Sequence, residues 1–243
     1  MAGSNSEWIV IEAPDGGEFR AYGHAPVGGR GPGVMVLQEA FGINEYVREV
    51  VDWFADLGYW AVAPDMFWRI EPGITLEYSE PEIAQAIELL GRFDYNAADG
   101  DMAATVARMR TLPGLNGGIG TVGFCLGGRL AYRAAAHSTV DCAVSYYGVG
   151  IENDLDLAGR IDRPLLLHFG GKDQFVAAEA LKKIQSGLKG RDDIAIHLYP
   201  DASHGFNNKR RPAFDEKIVQ QARARTLDFL ATSIGESPKL SDA

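Results

Sequence analysis

The chain has 243 residues, 46% of them hydrophobic, enough to fill one compact core. Its formal net charge of -10, from 33 acidic against 23 basic residues, would repel a phosphate backbone, so nucleic acid is not an expected partner. Residues 1–8 have no basic region or apolar run and no stretch reaches bilayer-spanning length; the expectation is a cytoplasmic protein without membrane contact, one domain over 1–243 with loose tails at 1–8 and 235–243.

In chain order, two alternating apolar stretches, 8–12 and 19–25, flank Pro14-Asp15-Gly16-Gly17 and predict an antiparallel hairpin. After the Gly- and Pro-rich segment 28–33 the pattern changes. Apolar runs at 34–37, 59–63, 119–124, 142–146, 164–169 and 194–199 alternate with stretches of helical period at 45–57, 81–90, 98–110, 126–136, 177–188 and 215–233. Consecutive apolar residues such as Pro164-Leu165-Leu166-Leu167 suit strands buried on both faces. The expected class is therefore α/β, with a mostly parallel central sheet, helices on both faces and an N-terminal antiparallel hairpin. No internal repeat divides it.

Two cysteines are too few for a disulfide framework and lack zinc-ligand spacing, so neither a metal nor another cofactor is expected. Cys142 opens an apolar run and reads as a small core residue. Cys125 lies in Gly123-Phe124-Cys125-Leu126-Gly127-Gly128, between a strand and a helix. Glycines flank such a turn because larger side chains would strike neighbouring backbone, and the turn pushes the central side chain into the open as a nucleophile. A helix N-terminus there favours thiolate over thiol and makes the Leu126 amide an oxyanion donor. The plainer account is a tight turn around a buried thiol.

Two segments farther along the chain weigh against that account. Functional groups gather beyond the carboxyl ends of parallel strands, and a triad on such a sheet runs nucleophile, acid, histidine. The run 164–169 leads into Gly170-Gly171-Lys172-Asp173, and 194–199 leads into Pro200-Asp201-Ala202-Ser203-His204-Gly205-Phe206. His24, His168 and His197 sit in strands and His137 at a helix end; only His204 stands in a Gly-bounded loop past a strand. Asp193 precedes its strand and Asp201 shares the histidine's loop, which leaves Asp173 as the acid. Gly118 to Gly123 also matches G-x-G-x-x-G, with Asp141 beyond, but a dinucleotide fingerprint needs its glycines after the strand, not within it.

With nucleophile, acid and histidine placed, the chain resembles the dienelactone hydrolase family, the cysteine-nucleophile branch of the three-layer α/β-hydrolases. The likeness rests on Gln38-Glu39-Ala40-Phe41-Gly42, Ala63-Pro64-Asp65-Met66-Phe67, the elbow around Cys125, Tyr146-Tyr147-Gly148-Val149-Gly150, Gly170-Gly171-Lys172-Asp173 and Ser203-His204-Gly205-Phe206. It implies that Glu39 lies beside the nucleophile and takes up the thiol proton, and that the Ala40 amide is the second oxyanion donor. A carboxylate ending an apolar run is suited to such a base's work. Phe41, Tyr146, Phe206 and Arg69 are the substrate-binding candidates. Two arginines that hold the substrate carboxylate in the family fall, by ungapped counting, at Ile83 and Asn208, and aromatic positions fall at Ile87 and Leu90. Arg69, Arg129, Arg210 and Arg211 are near in sequence. The implied pocket is more apolar, for an uncharged substrate.

The reading is thus a hydrolase of a small ester or lactone, working through a Cys125 acyl-enzyme as a monomer or small homo-oligomer. The competing readings are a small-ligand-binding protein on the same fold and an acyltransferase whose acceptor is not water.

Overall fold

The hairpin and the six later strands join one eight-stranded sheet in the computed structural model, which describes residues 6–137 and 139–235. The strands are β1 (Ser6–Glu12), β2 (Glu18–His24), β3 (Gly31–Leu37), β4 (Trp60–Pro64), β5 (Leu115–Phe124), β6 (Cys142–Tyr146), β7 (Leu165–Gly170) and β8 (Ile194–Tyr199), in the order β1-β2-β4-β3-β5-β6-β7-β8. β1 pairs with β2, and β2 with β4, antiparallel; all other pairings are parallel. Gly16 and Gly17, at φ 91° and 94°, make the β1–β2 turn possible, closed by the Ala13 amide on the Gly17 carbonyl at 3.0 Å.

Helices α1 (Glu45–Asp56), α2 (Glu80–Gly91), α3 (Tyr95–Met109), α4 (Leu126–Ala136), α5 (Ala178–Gly187) and α6 (Glu216–Ile234) surround the sheet. The continuous apolar runs divide by alternation. Val34, Val36, Val122, Phe124 and Val144 pack on one face with side chains of α1 and α6, while Met35, Leu37, Ile119, Ala143 and Leu165 pack on the other with α3, α4 and α5. The expected class and layering hold.

Some boundaries differ from the sequence expectation. The 1–8 tail was expected to be loose, but Ser6 and Glu7 pair with His24 and Gly23, and Trp8 packs on Tyr22 at 5.8 Å. The remaining tail positions, 1–5 and 236–243, lie outside the described residues. Helix α3 starts three residues before Ala98 because the Asp94 carboxylate accepts from the amides of Asn96 and Ala97 at 2.9 and 3.1 Å. The G-x-G-x-x-G glycines lie inside β5, where a Cβ on Gly120 would press on Cys142 Sγ and Leu230 at 3.0 Å, and Asp141 accepts from the Ile119 amide at 2.8 Å. Their smallness serves packing. Among the described residues no helix is long and apolar enough to cross a membrane.

One polar cluster braces α4, the helix that follows Cys125. Arg133 is nearly buried and donates to Asp99 at 2.6 Å, to Asn96 at 3.0 Å and to Asp154 at 3.1 Å, joining α3, α4 and the 3-10 turns at Ile151–Asn153 and Leu155–Arg160. Arg129 adds a two-point pair to Asp154 at 2.7 and 2.9 Å. Removing one member of such a network strands the others without their partner. Arg133→Leu is expected to cost about 3–5 kcal/mol in urea unfolding; a loss below 1 kcal/mol would show that the brace is dispensable.

Candidate active site

β3 and β5 lie side by side while their following segments leave toward different neighbours, and the crevice beyond their carboxyl ends is where an open parallel sheet presents its chemistry. Cys125 ends β5 and caps α4 at φ 55°, ψ -111°. A left-handed φ on a non-glycine residue costs about 1–3 kcal/mol and persists only where its surroundings enforce it. Here the Cys125 amide donates to the Tyr146 carbonyl, its carbonyl accepts from Gly128, and Gly127 donates to the Gln38 carbonyl, each at 3.0 Å. A Cβ on Gly123 would collide with the Gly127 carbonyl, one on Gly127 with the Leu37 carbonyl, and one on Gly128 would sit 2.7 Å from Gly148 Cα. All three glycines are required by close approach.

His204 and Asp173 arrive from the loops after β8 and β7. His204 Nδ1 donates to Asp173 Oδ2 at 2.8 Å, and Asp173 Oδ1 accepts from the amides of Phe175 and Val176 at 2.8 and 3.1 Å. One carboxylate oxygen thus anchors the loop and the other fixes the imidazole tautomer, leaving Nε2 for other work. The ring is buried between Tyr147 and Phe175, with centroids 4.9 and 4.8 Å away. Burial opposes charging His204, yet the negative sulfur of Cys125, with which it also shares a hydrogen bond, and the Asp173 carboxylate outweigh it and push its pKa up to about 10.

Glu39 follows β3 and is 1% exposed. Its Oε2 accepts from Tyr78 Oη and Asn208 Nδ2, both at 3.1 Å, while Oε1 has no hydrogen-bond partner and lies 4.0 Å from Arg211 Nη1. The Tyr78 hydroxyl also accepts from Asn208 at 2.6 Å and from Asn44 at 3.1 Å, so its one proton and both lone pairs are committed. Burial and the Glu39 charge hold this phenol well above its ordinary pKa, and it stays a donor. The segment carrying Tyr78 is seated by a bridge between Gly42 and Thr75 and by the Leu76 amide on the Phe41 carbonyl at 2.9 Å.

Above Cys125 opens a cavity of about 290 Å³. Ala40, Phe41, Ile83, Ala86, Ile87, Leu90, Tyr95, Val149 and Phe175 make it mostly apolar, with Gln174, His204 and Arg211 as polar members. Of the substrate-binding candidates, only Phe41 lines it. Arg69 does not: its guanidinium is held by Asp15 and Asp101 at 2.7–2.8 Å. Tyr146 is buried behind the elbow with its hydroxyl on Thr226 at 2.7 Å, and Phe206 is buried against Tyr146, Tyr147 and Tyr199. Arg129 is paired with Asp154 and Arg210 with Glu45 and Glu49; of the four nearby arginines Arg211 alone reaches the cavity, lying across Gly205.

Sequence reasoning missed Tyr78, Asn44 and Phe175, and it did not foresee that Asn208 binds Glu39. Phe175 carried a faint signal, an aromatic residue two positions past the acid. Tyr78 carried none, since it sits in an irregular segment that only the fold brings to Glu39. Among the described residues no group of three His, Cys, Asp or Glu side chains could hold a metal ion.

Residues 19–234 match the model of the dienelactone hydrolase family. A carboxymethylenebutenolidase of Pseudomonas sp. strain P51 is 42% identical over 93% of this chain and 94% of its own length. Carboxymethylenebutenolidase 1 of Cupriavidus pinatubonensis is 38% identical over 93% and 97%. Among solved structures, a dienelactone hydrolase-like promiscuous phosphotriesterase from metagenomic libraries superposes with a TM-score of 0.78 at 22% identity, over 96% of this chain and all of that one, which shows the shared fold.

The raised pKa of His204 makes a signed expectation. Between its ordinary 6.5 and about 10 the folded state holds a proton that the unfolded state lacks, a stabilisation complete below pH 6.5 and lost as pH rises through 10. Cys125→Ala removes the sulfur charge, so NMR titration of the imidazole should find the pKa lower and the loss of stability above pH 7 shallower. An unchanged titration would mean that the sulfur does not act on the ring.

Proposed function

Because the chain belongs to the dienelactone hydrolase family, we propose that this ester or lactone hydrolase works through a covalent acyl-enzyme on Cys125. The observation that carries the reading is the Cys125 thiol held at φ 55° beside an imidazole that Asp173 orients at 2.8 Å, at the base of the cavity. A merely packed cysteine has no need of strained backbone, and a ligand-binding protein has no need of an oriented histidine whose pKa is raised by the neighbouring sulfur charge and carboxylate.

In the proposed cycle the sulfur attacks the carbonyl carbon of the bound ester, and the carbonyl π electrons move onto oxygen. The oxyanion lies against the amides of Leu126 and Ala40. Leu126 is the first residue of α4, so its N–H has no carbonyl four residues behind it, and neither amide donates in a turn or loop among the described residues. Collapse breaks the bond to the alcohol oxygen, which takes a proton from His204. His204 then removes a proton from water as it attacks the thioester, and the second collapse releases the acid and returns the electron pair to sulfur. Glu39, with Oε1 unbonded, is the second base: it takes the thiol proton when the resting sulfur is protonated and gives it back to the sulfur after the second collapse. The substrate is a small molecule, and water is the acyl acceptor.

With p-nitrophenyl acetate, Cys125→Ala should lose about 10³-fold or more in kcat/KM while keeping its circular dichroism spectrum. His204→Ala should trap an acetyl group on Cys125, visible by mass spectrometry. Full turnover in Cys125→Ala would remove the thiol from the mechanism.

A further inference from the structure

The walls of the cavity say more about the substrate than the reacting groups do. Helix α2 presents Ile83, Ala86, Ile87 and Leu90 toward Cys125, and Val149 and Phe175 stand among the other lining residues. Ile87 is 62% exposed and Phe175 52% exposed, two of the few large apolar side chains that the described chain leaves open to water. Scattered exposed hydrophobics need no explanation, but two lining the same cavity as the thiol form a continuous apolar track from the interior to the solvent.

Charge around the cavity is balanced. Arg211, the one lining arginine, faces Glu39 at 4.0 Å, and Arg129, which stacks on the lining residue Tyr95 at 3.8 Å, is paired with Asp154. A carboxylate entering along α2 would meet aliphatic side chains, and to reach Arg211 it would have to draw that cation away from Glu39. Burying an unpaired carboxylate is far more costly than burying a methyl group of similar size.

We infer that the arm of the substrate remote from the scissile carbonyl is uncharged and apolar, an alkyl or aryl chain of several carbons lying on Ile83, Ile87 and Leu90 and leaving between Ile87 and Phe175. The inference rests on the ester-hydrolase reading of Cys125 and adds the substrate class. Full burial of a methylene is worth about fourfold in affinity, converted from 0.8 kcal/mol, so a half-open track gives about twofold per carbon.

The test compares p-nitrophenyl acetate, butyrate and hexanoate with the p-nitrophenyl monoester of adipic acid, whose arm ends in a carboxylate. The expected kcat/KM rises about fifteenfold from acetate to hexanoate and falls at least tenfold from hexanoate to the adipate monoester. Ile87→Arg should shift the hexanoate-to-adipate ratio toward the charged ester by tenfold or more. Binding of 2-octanone and 7-oxooctanoate to Cys125→Ala, followed by ligand-detected NMR, reads the arm without turnover. A neutral ketone that binds more tightly while no ester is cleaved by the unmodified protein would sink the thiol mechanism and leave this inference standing. An adipate monoester cleaved as fast as hexanoate, or a carboxylate ketone bound at least as tightly as 2-octanone, would overturn it.

Discussion

The backbone of Cys125 is the constraint on which the rest of the structure depends. A left-handed φ at a non-glycine residue is unfavourable, and here it is kept by a ring of backbone contacts: the Tyr146 carbonyl, the Gln38 carbonyl and the first turn of α4. Those contacts need β3, β5 and β6 in register and need glycine at 123, 127 and 128. In return they bring the segment after β3 against the helix that follows β5, so that Ala40 lines the space above the thiol. The strain is local, and the eight-stranded sheet over-determines it.

Electrostatics in this acidic protein are arranged locally. The overall charge is -10, yet the arginines of the catalytic half are matched one by one: Arg129 and Arg133 with Asp154 and Asp99, Arg210 with Glu45 and Glu49, Arg211 facing Glu39. The buried pairs among these, Arg129 and Arg133 with Asp154 and Asp99, contribute little net stability but fix orientation, because each partner would be costly alone. The imidazole of His204 is the group whose charge is favoured by the Cys125 sulfur and the Asp173 carboxylate.

Much of this was legible in the sequence, and the reasons are physical. Strands buried on both faces read as unbroken apolar runs, so β3 to β7 and their parallel order follow from local pattern. The residues just past β5, β7 and β8 were legible because an open parallel sheet confines function to those ends. The substrate wall was less so. Ile83, Ile87 and Leu90 lay on a helix whose facing partner no periodicity reveals, and Arg69 and Arg211 were equivalent in sequence until ion pairs took the first to Asp15 and Asp101. Tyr146 and Phe206 belong to matched motifs but turn into the core, since aromatic side chains beside a strained turn serve to pack it.

His204 and Glu39 are held by networks that share no hydrogen bond. Asp173 and the loop amides of Phe175 and Val176 hold His204 from the β7–β8 side, while Tyr78, Asn208 and Asn44 hold Glu39 from the side of β3 and α1. Asn208 follows His204 by four residues, so the β8 loop supplies a member to each network, but through different atoms and different turns. Neither carboxylate contacts the partner of the other. The two sets meet in the 204–208 turn, and Tyr147, packed on His204 at 4.9 Å, also feels the Glu39 charge. Asn208 supplies an uncharged donor, so Glu39 is positioned without a salt bridge to that position, and its second oxygen stays unbonded. A carboxylate held by one oxygen keeps vacant lone pairs on the other.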